Sequence, residues 1–145
     1  MPKRAGFTLV ELVVVVLIIA LLAAVAAPKF LKTTAKANDS GVKHSLHVIR
    51  DAIELYVAEN QGTLPTAPET DLLPYLRDTA FPPVTVGDAA DTVGANQVSI
   101  VATSGVLTAD ATPTKGWKYS TASGEFIINS GATTILEPDF TYDQW

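Results

Sequence analysis

Hydrophobic residues follow three different patterns along this chain, and the first is an unbroken apolar run from Leu12 to Ala27. The stretch from Phe7 to Ala27 comprises 21 residues. As an α-helix it would measure about 31 Å, which is enough to cross the hydrocarbon core of a bilayer. The first pattern therefore predicts a helix that needs an apolar surrounding along its whole length.

The second pattern follows Pro28 and consists of apolar residues in alternating steps of four and three positions. Its members are Val42, Leu46, Ile49, Ile53 and Tyr56, and we expect Val48, Ala52 and Leu55 to broaden it. This spacing places side chains on one face of an amphipathic helix. Asn60-Gln61-Gly62 is a typical helix stop. We predict one helix from about Phe7 to Asn60, with Pro28 as a kink or local opening inside it.

The third pattern begins after Gly62, where several prolines punctuate a loop with one short helical candidate, Asp71 to Arg77. Three runs typical of β-strands follow: Gln97 to Thr103, Trp117 to Ser120 and Glu125 to Asn129. The connection Ser120–Gly124 between the last two favours a hairpin. We predict an α+β fold in which the second half of the long helix packs on a small antiparallel β-sheet.

Charge is distributed unevenly around a net value of −5. Lys3 and Arg4 precede the apolar run, and the basic residues that follow it are Lys29, Lys32, Lys36, Lys43 and Arg50. From Glu69 onward ten carboxylates face three basic residues, which argues against a nucleic-acid-binding surface there. Basic residues on both sides of the run suit anionic lipid headgroups, with Lys3 and Arg4 on the cytoplasmic side. Cysteine is absent, which excludes disulfides and thiolate chemistry.

Met1 to Ala27 has two conventional interpretations. A basic start, an apolar stretch and small residues at Ala24–Ala26 are typical of a secretory signal peptide, and an uncleaved signal anchor would show the same pattern. Both interpretations leave Glu11 unexplained, because a carboxylate in a membrane helix costs about 2.5–3.5 kcal/mol. Pro28 would also lie directly after the signal-peptide cleavage region.

A third interpretation explains Glu11. A cut between Gly6 and Phe7 would create a positive α-amino group one helical turn before Glu11 and would remove Lys3 and Arg4. In an assembly of identical helices, Glu11 of one subunit would neutralise the Phe7 amine of its neighbour. An apolar surrounding would strengthen this pair and penalise every register that leaves one charge alone.

The string Lys3-Arg-Ala-Gly-Phe-Thr-Leu-Val-Glu-Leu12 resembles the prepilin signature of type IV pilins and type II secretion pseudopilins. Pro28 matches a proline common in that family. The resemblance implies a prepilin peptidase that cuts after Gly6 and methylates the Phe7 amine, with Glu11 and Pro28 acting in assembly. It also implies an inner-membrane assembly platform with its ATPase, minor pilins, and a filament of identical subunits as partners.

The resemblance and the patterns together suggest four segments. These are a leader removed on maturation (1–6), a transmembrane and polymerisation half-helix (7–28), an amphipathic half-helix (29–62), and a loop with a small sheet (63–145). The precursor is expected in the bacterial inner membrane with its N-terminus in the cytoplasm, and the product in a periplasmic or cell-surface filament. No enzymatic activity, cofactor or metal is predicted.

The subgroup remains open between a secretion pseudopilin and a pilus-forming pilin. The stretch Gly116–Asn129 is similar to a hairpin of pseudopilin-like proteins, and no cysteine pair is present for the disulfide loop of many pilins. These features slightly favour the pseudopilin. The alternatives are a type IV pilus subunit and, less favoured, a monomeric membrane-anchored binding module; nothing supports a secreted enzyme.

Several polar groups are weaker candidates. Glu137, Asp139 and Asp143 supply oxygen ligands that suit calcium, but acidic tails are usually solvated, so no metal site is predicted. His44 and His47 are three positions apart without a third ligand. Asp51, Glu54 and Glu59 are interpreted as a solvated helix face. Asn38-Asp39-Ser40 has the form of a glycosylation sequon.

Overall fold

A computed structural model of the chain describes residues 6–77, 80–87 and 94–145. Its elements in chain order are α1 (Leu9–Glu59), α2 (Pro68–Asp71), β1 (Gly94–Val101), β2 (Lys115–Ser120) and β3 (Phe126–Ile128), with short 3-10 turns at Leu73–Tyr75 and Tyr142–Gln144. The chain divides into two units between Ala35 and Lys36. Lys3 and Arg4, which the sequence analysis places in a leader, lie outside the described residues.

The long helix is confirmed: α1 is 51 residues long and contains Pro28. It ends where the sequence predicts a stop, because Gln61 and Gly62 adopt positive φ angles of 56° and 84°. The amide of Gly62 donates to the carbonyl of Val57 at 2.9 Å, which closes the last turn.

The second unit has its core between α1 and the sheet. Val42, Leu46, Ile49 and Ile53 are buried, as the periodicity predicts. They belong to one apolar cluster with Trp117, Tyr119, Phe126 and Ile128. The expectation that Val48 and Leu55 broaden the stripe is wrong, because they are 37% and 54% exposed. Ala52, which lies closest to the stripe of these three, is 1% exposed.

The sheet is mixed, with strand order β1-β2-β3. The predicted hairpin is confirmed, since Trp117 lies opposite Ile128 and Tyr119 opposite Phe126 in an antiparallel pair. The prediction of a fully antiparallel sheet is wrong for β1, which runs parallel to β2. The connection 102–114 has about the dozen residues that a parallel crossover needs. Gly116 permits the close approach of the two strands, because a Cβ there would collide with the Ala95 carbonyl.

The crossover segment 102–114 covers the face of the sheet opposite α1. Leu107 of this segment is buried, with 4% exposure, as is Ile127 of β3, with 2%. Its amides donate to side chains at the edge of the hairpin: Leu107 N to Glu125 at 2.9 Å and Asp110 N to Asn129 at 2.8 Å. The sheet is therefore packed on both faces within the second unit.

The short helix after Gly62 begins earlier than predicted and ends earlier as well. Instead of Asp71 to Arg77, the structure has α2 followed by the Leu73–Tyr75 turn. Pro68 suits the first helical position, and the Asp71 carboxylate accepts the amides of Thr66 and Ala67 before it. Pro74 lacks the amide hydrogen that an α-helix would need at the next turn.

Three polar residues of α1 attach the C-terminal segment, and the sequence patterns did not single them out for this role. Asp39 is fully buried and accepts the amides of Ile135 and Leu136 at 2.7 and 3.0 Å. Lys43 pairs with Glu137 at 2.7 Å, which lowers the pKa of that carboxyl. Arg50 donates to the carbonyls of Phe126 and Trp145.

Two buried tyrosines differ in how their hydroxyl groups are satisfied. The Tyr142 hydroxyl donates to Asp39 at 2.7 Å, whereas the Tyr119 hydroxyl has no partner among the described residues. Burial raises the pKa of Tyr119 to about 12. Burial, followed by the hydrogen bond with Asp39, also raises the pKa of Tyr142.

These tyrosines provide a matched pair of variants. Tyr142→Phe should lower the free energy of unfolding by about 1.5–3 kcal/mol, because it removes a hydrogen bond to a buried carboxylate. Tyr119→Phe should be neutral or slightly stabilising at neutral pH, since no hydrogen bond is lost. Chemical denaturation of the two variants would measure the difference. If Tyr142→Phe and Tyr119→Phe were equally destabilising, the hydrogen bond from Tyr142 to Asp39 would not contribute to attaching the C-terminal segment.

Candidate functional site

The N-terminal unit carries a long run of apolar side chains that the described residues leave exposed. Its large hydrophobic residues between Phe7 and Leu31 are 46% to 80% exposed. By length and composition α1 could cross a membrane, and none of its most apolar 18-residue window is buried. A helix that is apolar on all sides needs lipid or other helices around it. The surface available for such contacts is therefore the whole circumference of this unit.

Glu11 closes a capping box at the start of α1. Its Oε2 atom accepts hydrogen bonds from the amide of Thr8 at 2.8 Å and from the Thr8 hydroxyl at 2.9 Å. The Thr8 hydroxyl in turn accepts the Glu11 amide at 3.2 Å. Reciprocal bonds of this kind satisfy donors that a helix N-terminus otherwise leaves open. The spacing Thr8-x-x-Glu11 is the sequence signal that could have predicted this cap.

The cap occupies only one oxygen of the Glu11 carboxylate. Among the described residues no hydrogen bond reaches Oε1, and no cation pairs with Glu11. The carboxylate is thus held in a fixed direction by Thr8 while its second oxygen can accept a donor from outside the chain. This arrangement differs from the sequence interpretation, in which the charge had no role within its own chain.

Gly6 and Phe7 precede α1 and belong to no helix or strand, and both are exposed. A Cβ built on Gly6 would meet no atom within 4 Å, so packing within the described residues does not require glycine there. Pro28 lies further along α1, also exposed.

The weaker candidates do not assemble into a metal site. No group of three potential metal ligands occurs in the described ranges. Glu137 binds Lys43 and the Trp145 indole, and Asp143 accepts the Ala109 amide. His44 and His47 are exposed, as are Asp51, Glu54 and Glu59; Glu59 accepts the Tyr75 hydroxyl. In the sequon Asn38 is exposed and Asp39 is buried.

Comparisons with known proteins find an N-terminal methylation motif and several type IV pilus proteins. A family described as the prokaryotic N-terminal methylation motif matches residues 1–27. The type IV wide pilus major component PilA4 of Thermus thermophilus is 34% identical over 126 residues, covering 84% of this chain and 92% of the relative. The narrow pilus major component PilA5 of the same organism is 33% identical, covering 65% and 80%.

A shorter similarity concerns the type IV major pilin protein PilA of Myxococcus xanthus. It is 41% identical over 58 residues, which cover 40% of this chain and 26% of that protein. No solved structure matches this chain.

Proposed function

The chain belongs to the type IV pilin family, and we propose that it is a filament subunit that is cut after Gly6 and polymerises through its N-terminal helix. The observation that carries the proposal is the combination found at the start of α1. An exposed apolar helix begins with a single oriented carboxylate, directly after the exposed Gly6–Phe7 peptide bond. The match of residues 1–27 to the N-terminal methylation motif supports the same site.

The proposed mechanism assigns a role to each of these groups. Cleavage removes the leader with Lys3 and Arg4 and leaves a positive amine on Phe7, which the peptidase methylates. When the subunit joins a filament, that amine donates to the free oxygen of Glu11 in a neighbouring subunit. The pair is strong because the surrounding helices exclude water, and an unpaired charge there would be costly. Pro28 allows α1 to adapt locally during assembly.

The partners follow from this mechanism. A prepilin peptidase acts on the precursor, which is anchored in the inner membrane with its N-terminus in the cytoplasm. An assembly platform with its ATPase adds subunits to the base of the filament, and minor pilins accompany the main subunit. We propose a structural role without enzymatic activity, as the names of the relatives as pilus components suggest.

Two kinds of filament fit this mechanism. The three relatives described above are named as type IV pilus components, which favours a surface pilus. The absence of cysteines and the β2–β3 hairpin favour a secretion pseudopilus. We prefer the surface pilus, because the similarity to PilA4 extends over most of the chain. Electron microscopy of filaments sheared from intact cells tests this, since loss of those filaments on deletion of the gene supports a pilus.

Processing provides the first test of the site. Gly6→Leu should leave the precursor uncut in the membrane, because we propose that the peptidase requires a small residue there. The open space around Gly6 means that leucine should not disturb packing among the described residues. Intact mass of the purified protein measures the outcome, with wild type beginning at a methylated Phe7. Gly41→Leu is the matched control, since Gly41 is also exposed with no atom near its Cβ. A wild-type N-terminus at Ala27 would establish an ordinary signal peptide instead.

A further inference from the structure

We propose that α1 carries two complementary charged segments through which one subunit docks on a second copy of the chain. The basic segment consists of Lys29, Lys32 and Lys36, and the acidic segment consists of Asp51, Glu54 and Glu59. This inference rests on the proposed function, because it concerns copies that polymerise in parallel. It adds a contact with a different neighbour, which is staggered further along the helix than the neighbour joined through Phe7 and Glu11.

The basic segment has no acidic partner among the described residues of its own chain. All three lysines are exposed. The ion pairs among the described residues are Lys43–Glu137 and Lys118–Asp110, and neither uses a lysine of this segment. Two large apolar side chains, Phe30 and Leu31, lie within the segment and are 72% and 73% exposed.

The acidic segment is unneutralised in the same way. Arg50 is adjacent to Asp51 and four positions before Glu54, but its guanidinium is turned towards the carbonyls of Phe126 and Trp145. Among the residues that the structure describes, Glu59 accepts a neutral hydroxyl, from Tyr75, and pairs with no cation. The exposed Leu55 lies within this segment, so both segments combine charge with an uncovered apolar side chain. Leu55 is one of the residues that the core leaves outside.

The two segments match in spacing as well as in charge. Lys29 and Asp51 are 22 positions apart, as are Lys32 and Glu54, while Lys36 and Glu59 are 23 apart. Two parallel copies staggered by 22 positions would therefore bring Lys29 beside Asp51 and Lys32 beside Glu54, whereas Glu59 lies one position further and about 100° around the helix. Without a stagger, lysines would face lysines and carboxylates would face carboxylates. Charge pairs of this kind select a register and penalise the wrong one.

Anionic lipid is the competing occupant for the lysines. Juxtamembrane lysines bind such headgroups. A lipid contact would use the basic segment alone, whereas docking between copies requires both segments. Reversing each segment separately and then together distinguishes the two.

The experiment uses the full-length chain in cells and compares the yield of sheared filaments. The variants are Lys29→Glu with Lys32→Glu, Asp51→Lys with Glu54→Lys, and the combination of all four. Each single-segment variant should reduce filament yield by about tenfold, because two ion pairs become repulsive. The combined variant should restore most of the yield. Asp139→Lys, a reversal on an exposed residue outside both segments, should leave the yield unchanged.

A crosslinking measurement adds a direct readout of proximity. The chain contains no cysteine, so a disulfide can form only between introduced residues. Filaments assembled from a mixture of Lys32→Cys and Glu54→Cys chains should yield heterodimers on oxidation, whereas Lys32→Cys mixed with Asp139→Cys should not.

Three results would overturn the inference: unchanged yield in the single-segment variants, no recovery in the combined variant, or no heterodimer. If only the lysine variants lowered filament yield, the basic segment would be a lipid-headgroup contact rather than a docking site for a second copy. The N-terminal mass of each variant keeps this test separate from the proposed function. If wild-type filaments beginning at Phe7 form but the charge variants assemble normally, only the docking contact is wrong. If wild-type chains form no filaments, the proposed function itself fails.

Discussion

Glu11→Gln should abolish most filament formation while the precursor is still inserted in the membrane and cut after Gly6. Glutamine can replace glutamate in a capping box, so the hydrogen bonds with Thr8 and the start of α1 should persist. The charge is lost, however, and the Phe7 amine of the neighbouring subunit would remain unpaired in an apolar surrounding. A charge left without its partner at a buried site costs about 3–5 kcal/mol.

Two further variants separate the cap from the charge. Glu11→Ala removes both, and it should insert in the membrane as well as wild type because the carboxylate is unfavourable there. Thr8→Val removes the capping hydroxyl but keeps the charge, so it should cost about 1 kcal/mol of helix stability and leave assembly largely intact. If the cap were the essential feature, Thr8→Val would be the severe variant and Glu11→Gln the mild one.

The measurement combines filament shearing with an N-terminal mass for each variant. Processed Glu11→Gln protein that assembles at the wild-type level would refute the charge-pairing mechanism, although the family assignment would stand. An unprocessed variant would place Glu11 in the interaction with the peptidase instead. The capping box determines this choice of variants. Glu11→Gln removes the charge but keeps the cap, whereas Thr8→Val weakens the cap but keeps the charge.

The elements that the sequence predicted well are those whose signal is local. The alternating spacing of Val42, Leu46, Ile49 and Ile53 requires only that these side chains share a helix face, and all four are buried. The hairpin follows in the same way from two β-like runs joined by a short connection that ends at Gly124, which has a φ of +76°. Neither prediction needed knowledge of the rest of the fold.

The parallel arrangement of β1 could not be predicted from such signals. Strand direction depends on the path of the connection 102–114, and that path is fixed by hydrogen bonds to distant residues such as Glu125 and Asn129. The prediction that Val48 and Leu55 are buried was wrong for a related reason, because the sheet determines how wide a face of α1 is covered. Periodicity gives the direction of a buried face but not its width.

The attachment of the C-terminal segment was missed because its residues are ordinary polar helix residues in the sequence. In the sequence, Asp39 is only the middle residue of a possible glycosylation sequon. Its hydrogen-bond partners Ile135 and Leu136 lie almost a hundred positions further along the chain. At Glu11 the situation is reversed. The Thr8-x-x-Glu11 spacing is a local signal for a capping box, but the interpretation of Glu11 considered only the cost of its charge in a membrane and did not include the cap.

The second unit should depend strongly on Trp117. This side chain is fully buried, contacts Phe126 at a ring-centroid distance of 5.5 Å, and donates its indole hydrogen to the Pro82 carbonyl at 2.8 Å. Trp117→Ala should therefore lower the free energy of unfolding by about 3–5 kcal/mol, as other large-to-small changes in protein cores do. For a domain of this size that is a large part of the total stability.

The cost of Trp117→Ala has two origins that further variants can separate. Trp117→Phe keeps a ring in the cavity but removes the indole donor, so it should cost less than alanine and measure the loss of the Pro82 hydrogen bond. Ile100→Ala is the matched control on the neighbouring strand, because Ile100 is 46% exposed and should change stability little.

Unfolding is measured on a fragment that begins at Lys29 and therefore lacks the apolar run. Native-like melting of the Trp117→Ala fragment would contradict a core formed by the hairpin on α1, because no other side chain of the sheet fills as much of that space.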